Sequence, residues 1–372
     1  MPPDPTAAIG MPDKARIDLS TVRSVLVYGV MGIGDMIMLS PALRALRAGL
    51  PEAHITLLIE PGRAAEAPIE GSNLVDGLLP LPPGFRRGFP LIPWVWRNVR
   101  GRFDLLLIPP HGTAITLAPV TALSGARHRV AITLRNRRRA RLPFIYNHRI
   151  EVPWIEHGSR SHARLVEYLG IPVEDYSPLF ALSDDDRRRA ADHLRAKGLD
   201  ATRPRIAIHA GSSAVQPWKR WPEERFVTLI EQLRGELGAQ MLLVGSRAER
   251  AELIESFGAI AGEAAILAGE MDIKATAALI EDCDLAIAND SGIGHIAAAV
   301  GTPLVALFGP TNEQVCGPMS EQARVLTADV PCRPCYLLGI DGPVQACRDR
   351  ICLAGVSVDT VFAACTALLG GT

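Results

Sequence analysis

The chain has no uninterrupted apolar run of the ~18–20 residues that a membrane-spanning helix needs. Its first twenty residues carry Pro, Asp and Lys where an export signal needs an apolar core. These absences predict a cytoplasmic protein with a disordered leader over residues 1–20. Net charge is nearly absent too: 39 basic residues stand against 40 acidic ones, which excludes a chain that coats a polyanion over its whole surface. Seven cysteines, an odd number in a long chain without an export signal, do not make a disulfide framework. With 48% hydrophobic and 21% charged residues, the composition is neither disordered nor collagen-like.

What is present is enough chain for two cores: 372 residues exceed the ~250–300 at which one hydrophobic core stops growing. The near-neutral total hides a local excess. From Arg86 to Arg149 there are 13 Arg and no Lys against a single acid, Asp104, which predicts a strongly electropositive face on the N-terminal half.

Short β-branched or aliphatic runs bounded by Gly, Pro and Asp predict strands at Ser24–Val30, His54–Glu60, Val75–Leu81, Phe103–Ile108 and Arg129–Thr133. The spacers are long enough for the crossover helices that parallel pairing demands. After a charged helical stretch, Ser183 to Lys197, the pattern restarts at Arg205–His209, Met241–Val244, Ala264–Leu267, Asp284–Ala288 and Leu304–Phe308. Runs without polar alternation suit strands buried on both faces. The fold class expected is α/β: two Rossmann-like, doubly wound parallel-sheet domains facing a cleft. Their bounds are 21–180 and 181–350, with a C-terminal helix over 351–372.

In such sheets ligands lie beyond the carboxyl ends of the strands, and three strand ends carry suitable residues. The first is Gly29-Val30-Met31-Gly32-Ile33-Gly34-Asp35, where the glycines allow close backbone approach and Asp35 is either a helix N-cap or a general base. Its G-x-x-G-x-G spacing is not that of a nicotinamide fold. The second is Gly211-Ser212-Ser213 with Lys219-Arg220-Trp221-Pro222; Lys219 is either a phosphate contact or a solvated neighbour of a helix start. The third, Asn289-Asp290-Ser291-Gly292-Ile293-Gly294-His295, leads from a strand into an alanine-rich helix. Small residues before such a helix offer amides to a pyrophosphate without a metal. Asp290 serves there or as the N-cap.

Taken together, these segments resemble glycosyltransferase family 9, the bacterial heptosyltransferases of lipopolysaccharide inner-core assembly. The likeness rests on Gly34-Asp35 with Ser40-Pro41-Ala42-Leu43-Arg44, on Gly211-Ser212-Ser213 with Lys219-Arg220-Trp221-Pro222, and on Asn289-Asp290-Ser291-Gly292 with His295 and Phe308-Gly309-Pro310-Thr311. It implies the GT-B architecture and an inverting, metal-independent transfer of heptose from an ADP-linked donor to a hydroxyl of the lipopolysaccharide core. By the same resemblance Asp35 is the base, with Gly32 and Gly34 beside it on the acceptor side. Ser212, Ser213, Lys219, Asp290, Ser291, Gly292 and His295 hold donor diphosphate and sugar, and Glu249, placed in the helix after Val244-Gly245, reaches the ribose. No cofactor is implied beyond the donor substrate.

The Arg-rich stretch, with Arg137, Arg138 and Arg139 and with Trp94, Trp96, Phe85 and Phe89, then has a partner in an anionic glycolipid acceptor at the inner-membrane surface. Transfer from another nucleotide sugar, and a non-hydrolysing nucleotide-sugar epimerase on the same architecture, are the alternatives. The spacing Cys332-x2-Cys335-x11-Cys347-x4-Cys352 has the count of a zinc site but a loose interior, and structural thiols are the favoured reading.

Overall fold

A computed structural model of the chain describes residues 17–62, 64–85, 91–110, 115–134, 142–153, 155–200, 202–213, 216–258, 264–336, 347 and 349–370. The chain divides into two units, Met1–Ala181 and Leu182–Thr372. The first runs β1 (Ser24–Tyr28), α1 (Ile33–Gly49), β2 (His54–Ile59), β3 (Gly77–Pro80), α2 (Leu91–Asn98), β4 (Leu105–Ile108), α3 (Ala118–Leu123), β5 (His128–Leu134), β6 (His148–Val152) and α4 (Gly158–Tyr168).

The second unit begins α5 (Asp184–Ala196), β7 (Arg205–His209), α6 (Glu223–Leu237), β8 (Gln240–Leu243), α7 (Arg250–Phe257), β9 (Ala264–Ile266) and α8 (Ile273–Glu281). It continues β10 (Leu285–Asn289), α9 (Gly292–Val300), β11 (Leu304–Leu307), α10 (Glu313–Cys316), β12 (Ala323–Leu326), α11 (Ile351–Ala354) and α12 (Val358–Leu369).

Every strand pairing is parallel, in the orders β3-β2-β1-β4-β5-β6 and β12-β11-β10-β7-β8-β9. Counted within its own unit, each sheet has the doubly wound order 3-2-1-4-5-6. Strand order reverses between β1 and β4 in one sheet and between β7 and β10 in the other, and the crevice outside such a reversal is where ligands bind.

Alternation along the strands divides the first unit's core between two faces. Val25, Val27, Ile55, Leu57, Leu105 and Leu107 point to the side of α1 and α4. Leu26, Tyr28, Leu58, Leu106 and Ile108 point to the side of α2 and α3. In the second unit Ile206, Ile208, Met241, Leu243, Leu285 and Ile287 form one core with Phe226, Leu229 and Leu233 of α6. The opposite positions Ala207, Ala286, Ala288 and Ala306 are small and buried.

One device recurs in both units. Asp104, the residue before β4, accepts the amides of Arg23 and Ser24 at the start of β1 at 2.9 and 3.0 Å, and Asp284, before β10, accepts that of Arg205 at the start of β7 at 2.8 Å. Asp104, the lone acid of the basic stretch, is thereby committed to the sheet.

All ten expected strands are present, and two more, β6 and β12, complete the sheet edges. These edge strands, HRIEV and ARVL, carry exposed and charged positions. They have no apolar run to betray them. Residues 17–20 were expected in a disordered leader, yet Ile17 is buried in the core and Leu19–Thr21 form a 3-10 turn capped by Asp18. The C-terminal stretch is two helices, α11 and α12, rather than one, the second capped by Ser357. Among the described residues no helix is long and apolar enough to cross a membrane.

Candidate active site

In the first unit β1 ends at Gly29, where an added Cβ would lie 2.8 Å from side-chain atoms of Leu57 and Met36, so any larger residue would have to displace both side chains. Gly32 is the N-cap of α1, and Gly34 and Asp35 lie in its first turn. Asp35 is therefore not the cap: it sits three residues inside the helix, half-buried, where the helix dipole favours its charge. The Ser40-Pro41 pair that follows has a local cause. Pro41 has no N–H for the carbonyl of Ile37, and the Ser40 hydroxyl donates to that carbonyl instead, at 2.7 Å, while accepting from Leu179 N at 2.9 Å. The helix carrying Asp35 thus keeps its bonding through the proline.

In the second unit, the ends of β7, β8 and β10 gather the other candidates. Lys219, in a 3-10 turn over Pro217–Lys219, is not solvated: its Nζ lies 2.8 Å from Asp290 Oδ2, and both side chains are largely buried. Burial alone would lower the Lys219 pKa, but the adjacent Asp290 carboxylate outweighs it and holds the ammonium above its ordinary value. Thr311 Oγ1 donates to the same carboxylate at 2.6 Å. Asp290 is not an N-cap either, for Ser291 takes that place in α9. His295, in the first turns of α9, is buried.

Ser291 accepts no amide of its own helix; its Oγ meets His209 Nδ1 at 2.9 Å. On the other side of the ring, His209 Nε2 lies 3.3 Å from Glu249 Oε1. Glu249 is the N-cap residue of α7, one position before the helix in which it was expected. Its Oε2 accepts from Ser246 N and Oγ at 2.8 and 2.7 Å. Burial pushes the Glu249 pKa up, but His209 and Ser246 prevail and hold it at about 2. Gly211 makes room for this carboxylate: a Cβ there would stand 1.9 Å from Glu249 Oε1.

Ser212 is buried, and its hydroxyl donates to Gln216 O at 2.9 Å and accepts from Arg220 Nε at 3.2 Å, so it holds the loop rather than facing outward. Ser213 is exposed. Asn289, not singled out as a site residue, ties the loops together. Its amide nitrogen donates to Ala210 O and Gly211 O at 2.7 and 3.1 Å, and its oxygen accepts from Trp221 N at 2.9 Å. The sequence signal for it was its place at the strand end beside Asp290, and for His209 its place at the end of β7.

Arg137, Arg138, Arg139 and Phe89 lie outside the described residues. Trp96 is exposed with the Arg100 guanidinium 3.9 Å above its ring, Trp94 is half-buried, and Phe85 is in the core. Cys332 and Cys347 are exposed, Cys335 is half-buried and Cys352 buried, all as free thiols. Among the described residues no group of three or more His, Cys, Asp or Glu is arranged to hold a metal. Asp272, Asp282 and Asp284 are structural: Asp272 caps α8, while Asp282 and Asp284 meet Arg205 at the amino end of β7, the sheet edge opposite the strand ends that carry the candidates.

Two doubly wound parallel units, with polar clusters at their strand ends, define the class: a Rossmann-like pair of the GT-B type. The family follows from comparison. The profile of glycosyltransferase family 9 (heptosyltransferase) matches residues 95–337, and the chain belongs to that family.

Lipopolysaccharide heptosyltransferase 2 of Salmonella typhimurium is 37% identical over 132 residues, 34% of this chain, and that match spans only 37% of the relative's length. Lipooligosaccharide heptosyltransferase 2 of Haemophilus ducreyi is 27% identical over 315 residues, 81% of this chain and 88% of the relative. The glycosyl transferase family 9 structure from Veillonella parvula superposes with a TM-score of 0.79 at 22% identity, covering 94% of this chain and 98% of that one.

Proposed function

We propose that the protein is an inverting, metal-independent heptosyltransferase that moves a heptose from an ADP-linked donor to a hydroxyl of a lipopolysaccharide core acceptor. The observation carrying this reading is the family match over most of the chain, together with the convergence of Lys219, Asp290, Ser291 and Glu249 at the β7/β10 reversal point. The names of the relatives, lipopolysaccharide and lipooligosaccharide heptosyltransferases, point to the same substrates.

Single displacement with inversion needs a base on the acceptor hydroxyl and stabilisation of the departing diphosphate on the other face of an oxocarbenium-like sugar. Asp35 takes the proton, with Gly32 and Gly34 admitting the acceptor close to the backbone. Lys219 and the amides of Ser291, Gly292 and the first turn of α9 receive the diphosphate charge, which removes the need for a metal or other cofactor. Ser213 lies at the mouth of the same loop. Support for Glu249 as the ribose contact is its ionised carboxylate in the loop after β8, held beside His209 and the Ser246 amide, where a sugar hydroxyl can donate to it. His295, buried in α9, helps hold the diphosphate and sugar in this reading.

The acceptor is an anionic glycolipid, and the Arg-rich stretch with Arg137, Arg138 and Arg139 meets its charges at the cytoplasmic face of the inner membrane. Flotation with liposomes containing anionic lipid should carry the wild type upward and leave a charge reversal at these three arginines behind. Equal flotation removes the membrane role.

The reaction itself is tested with purified protein, ADP-heptose and a heptose-deficient core acceptor. Acceptor-dependent ADP release and a product heavier by one heptose are expected. Release of an altered sugar nucleotide without acceptor would make the protein an epimerase, and turnover only with another nucleotide sugar would replace the donor.

A further inference from the structure

A serine at a helix N-cap normally turns its oxygen onto the amide two or three residues ahead, because four N–H groups there lack partners. The second unit follows this rule elsewhere. Ser183 accepts from Asp186 N at 3.2 Å, Asp272 from Ala275 N at 2.9 Å and Ser357 from Thr360 N at 3.1 Å. Ser291 departs from it: in extended backbone, φ −153° and ψ 169°, it makes no side-chain cap bond and meets His209 instead. Of these helices, α9 alone starts at the reversal point of the sheet.

We propose that His209 is a positioning residue that holds the Ser291 hydroxyl off the first turn of α9 and so reserves those amides for the donor diphosphate. The inference rests on the donor site proposed above. The chain of contacts fixes its direction. Glu249, ionised through the physiological range, lies beside Nε2 and favours the proton there. Nδ1 is then the acceptor for the Ser291 O–H. His209 is buried at the end of β7, and Ala288 of β10 pairs with it across the sheet, so backbone as well as side chain holds the ring in place. Without the imidazole acceptor the hydroxyl is released to cap its own helix, and the diphosphate must displace it.

The test is a double-mutant cycle in the full-length protein, with His209→Ala, Ser291→Ala and both together. Affinities are measured by calorimetry for ADP and for inorganic diphosphate, which has no ribose to report on Glu249. His209→Ala should weaken both ligands about tenfold, the size of one capping interaction. In the Ser291→Ala background the same change should cost less than about twofold, because no hydroxyl remains to compete. His209→Asn, whose side-chain oxygen can stand where Nδ1 stood, should keep most of the affinity. His209→Leu replaces His209→Ala if the smaller residue unfolds the unit.

Equal losses with and without Ser291 would overturn the proposal, as would no loss in either. Failure of the wild type to bind either ligand would remove the donor site itself. Binding by the wild type with additive losses would remove only the role of His209.

Discussion

At the scale of single residues, the site consists of charges that have partners before any ligand arrives. The Lys219–Asp290 pair is the extreme case, and removing one member leaves the other buried and uncompensated. Lys219→Met should therefore destabilise by about 3–5 kcal/mol, measured by denaturant unfolding, and Lys219→Met with Asp290→Leu should recover much of that loss. If the single variant unfolds like the wild type, water reaches Asp290. Asp35 makes the opposite prediction. Because Gly32 rather than Asp35 caps α1, Asp35→Asn should fold normally and keep nucleotide affinity while turnover falls by about 10²–10⁴, as general-base removal requires. Turnover near the wild-type rate would reduce Asp35 to a favourable charge in a first helical turn.

At the scale of elements, caps decide where helices begin. The Ser183–Asp186 capping box at α5 is reciprocal: the serine accepts from Asp186 N, and the Asp186 carboxylate accepts from Ser183 N and Oγ at 2.9 and 2.7 Å. Burial raises the Asp186 pKa, but the Ser183 and Arg189 bonds win and hold it at about 2. A depressed folded-state value means that the contribution is complete above the ordinary 3.8 and fades as pH falls towards 2. Asp186→Ala should cost about 1 kcal/mol at pH 7 and nothing measurable near pH 2, read from urea unfolding at the two pH values. A pH-independent cost would assign the loss to packing.

At the scale of the whole molecule, the repeated 3-2-1-4-5-6 sheet gives each unit its own hydrophobic core and its own reversal point. A nucleotide bound at the second reversal point stabilises the folded chain by mass action. A ligand at 100 times its dissociation constant adds about 2.7 kcal/mol. In a thermal-shift panel ADP should raise the melting temperature more than UDP or GDP. Equal shifts would leave the base of the donor undefined, and no shift would mean that the folded chain binds none of the three nucleotides.

The strand runs, the double winding and the three strand-end motifs were legible because buried parallel strands are short, apolar and bounded by Gly, Pro and Asp. Of the four edge strands, β3 and β9 keep short apolar runs and were legible, whereas β6 and β12, HRIEV and ARVL, mix charged with apolar positions and were not.

The chain by itself determined the pattern of ten of the strands and which loops hold Gly, Ser, Asp and Lys together, because period and turn chemistry are local. Only tertiary structure decided that Lys219 pairs with Asp290 and that His209 stands between Ser291 and Glu249. Those partners are separated by 40 or more residues, and what brings them within 3.3 Å is the parallel register of β7 with β8 and β10. No local preference encodes a distance across a sheet.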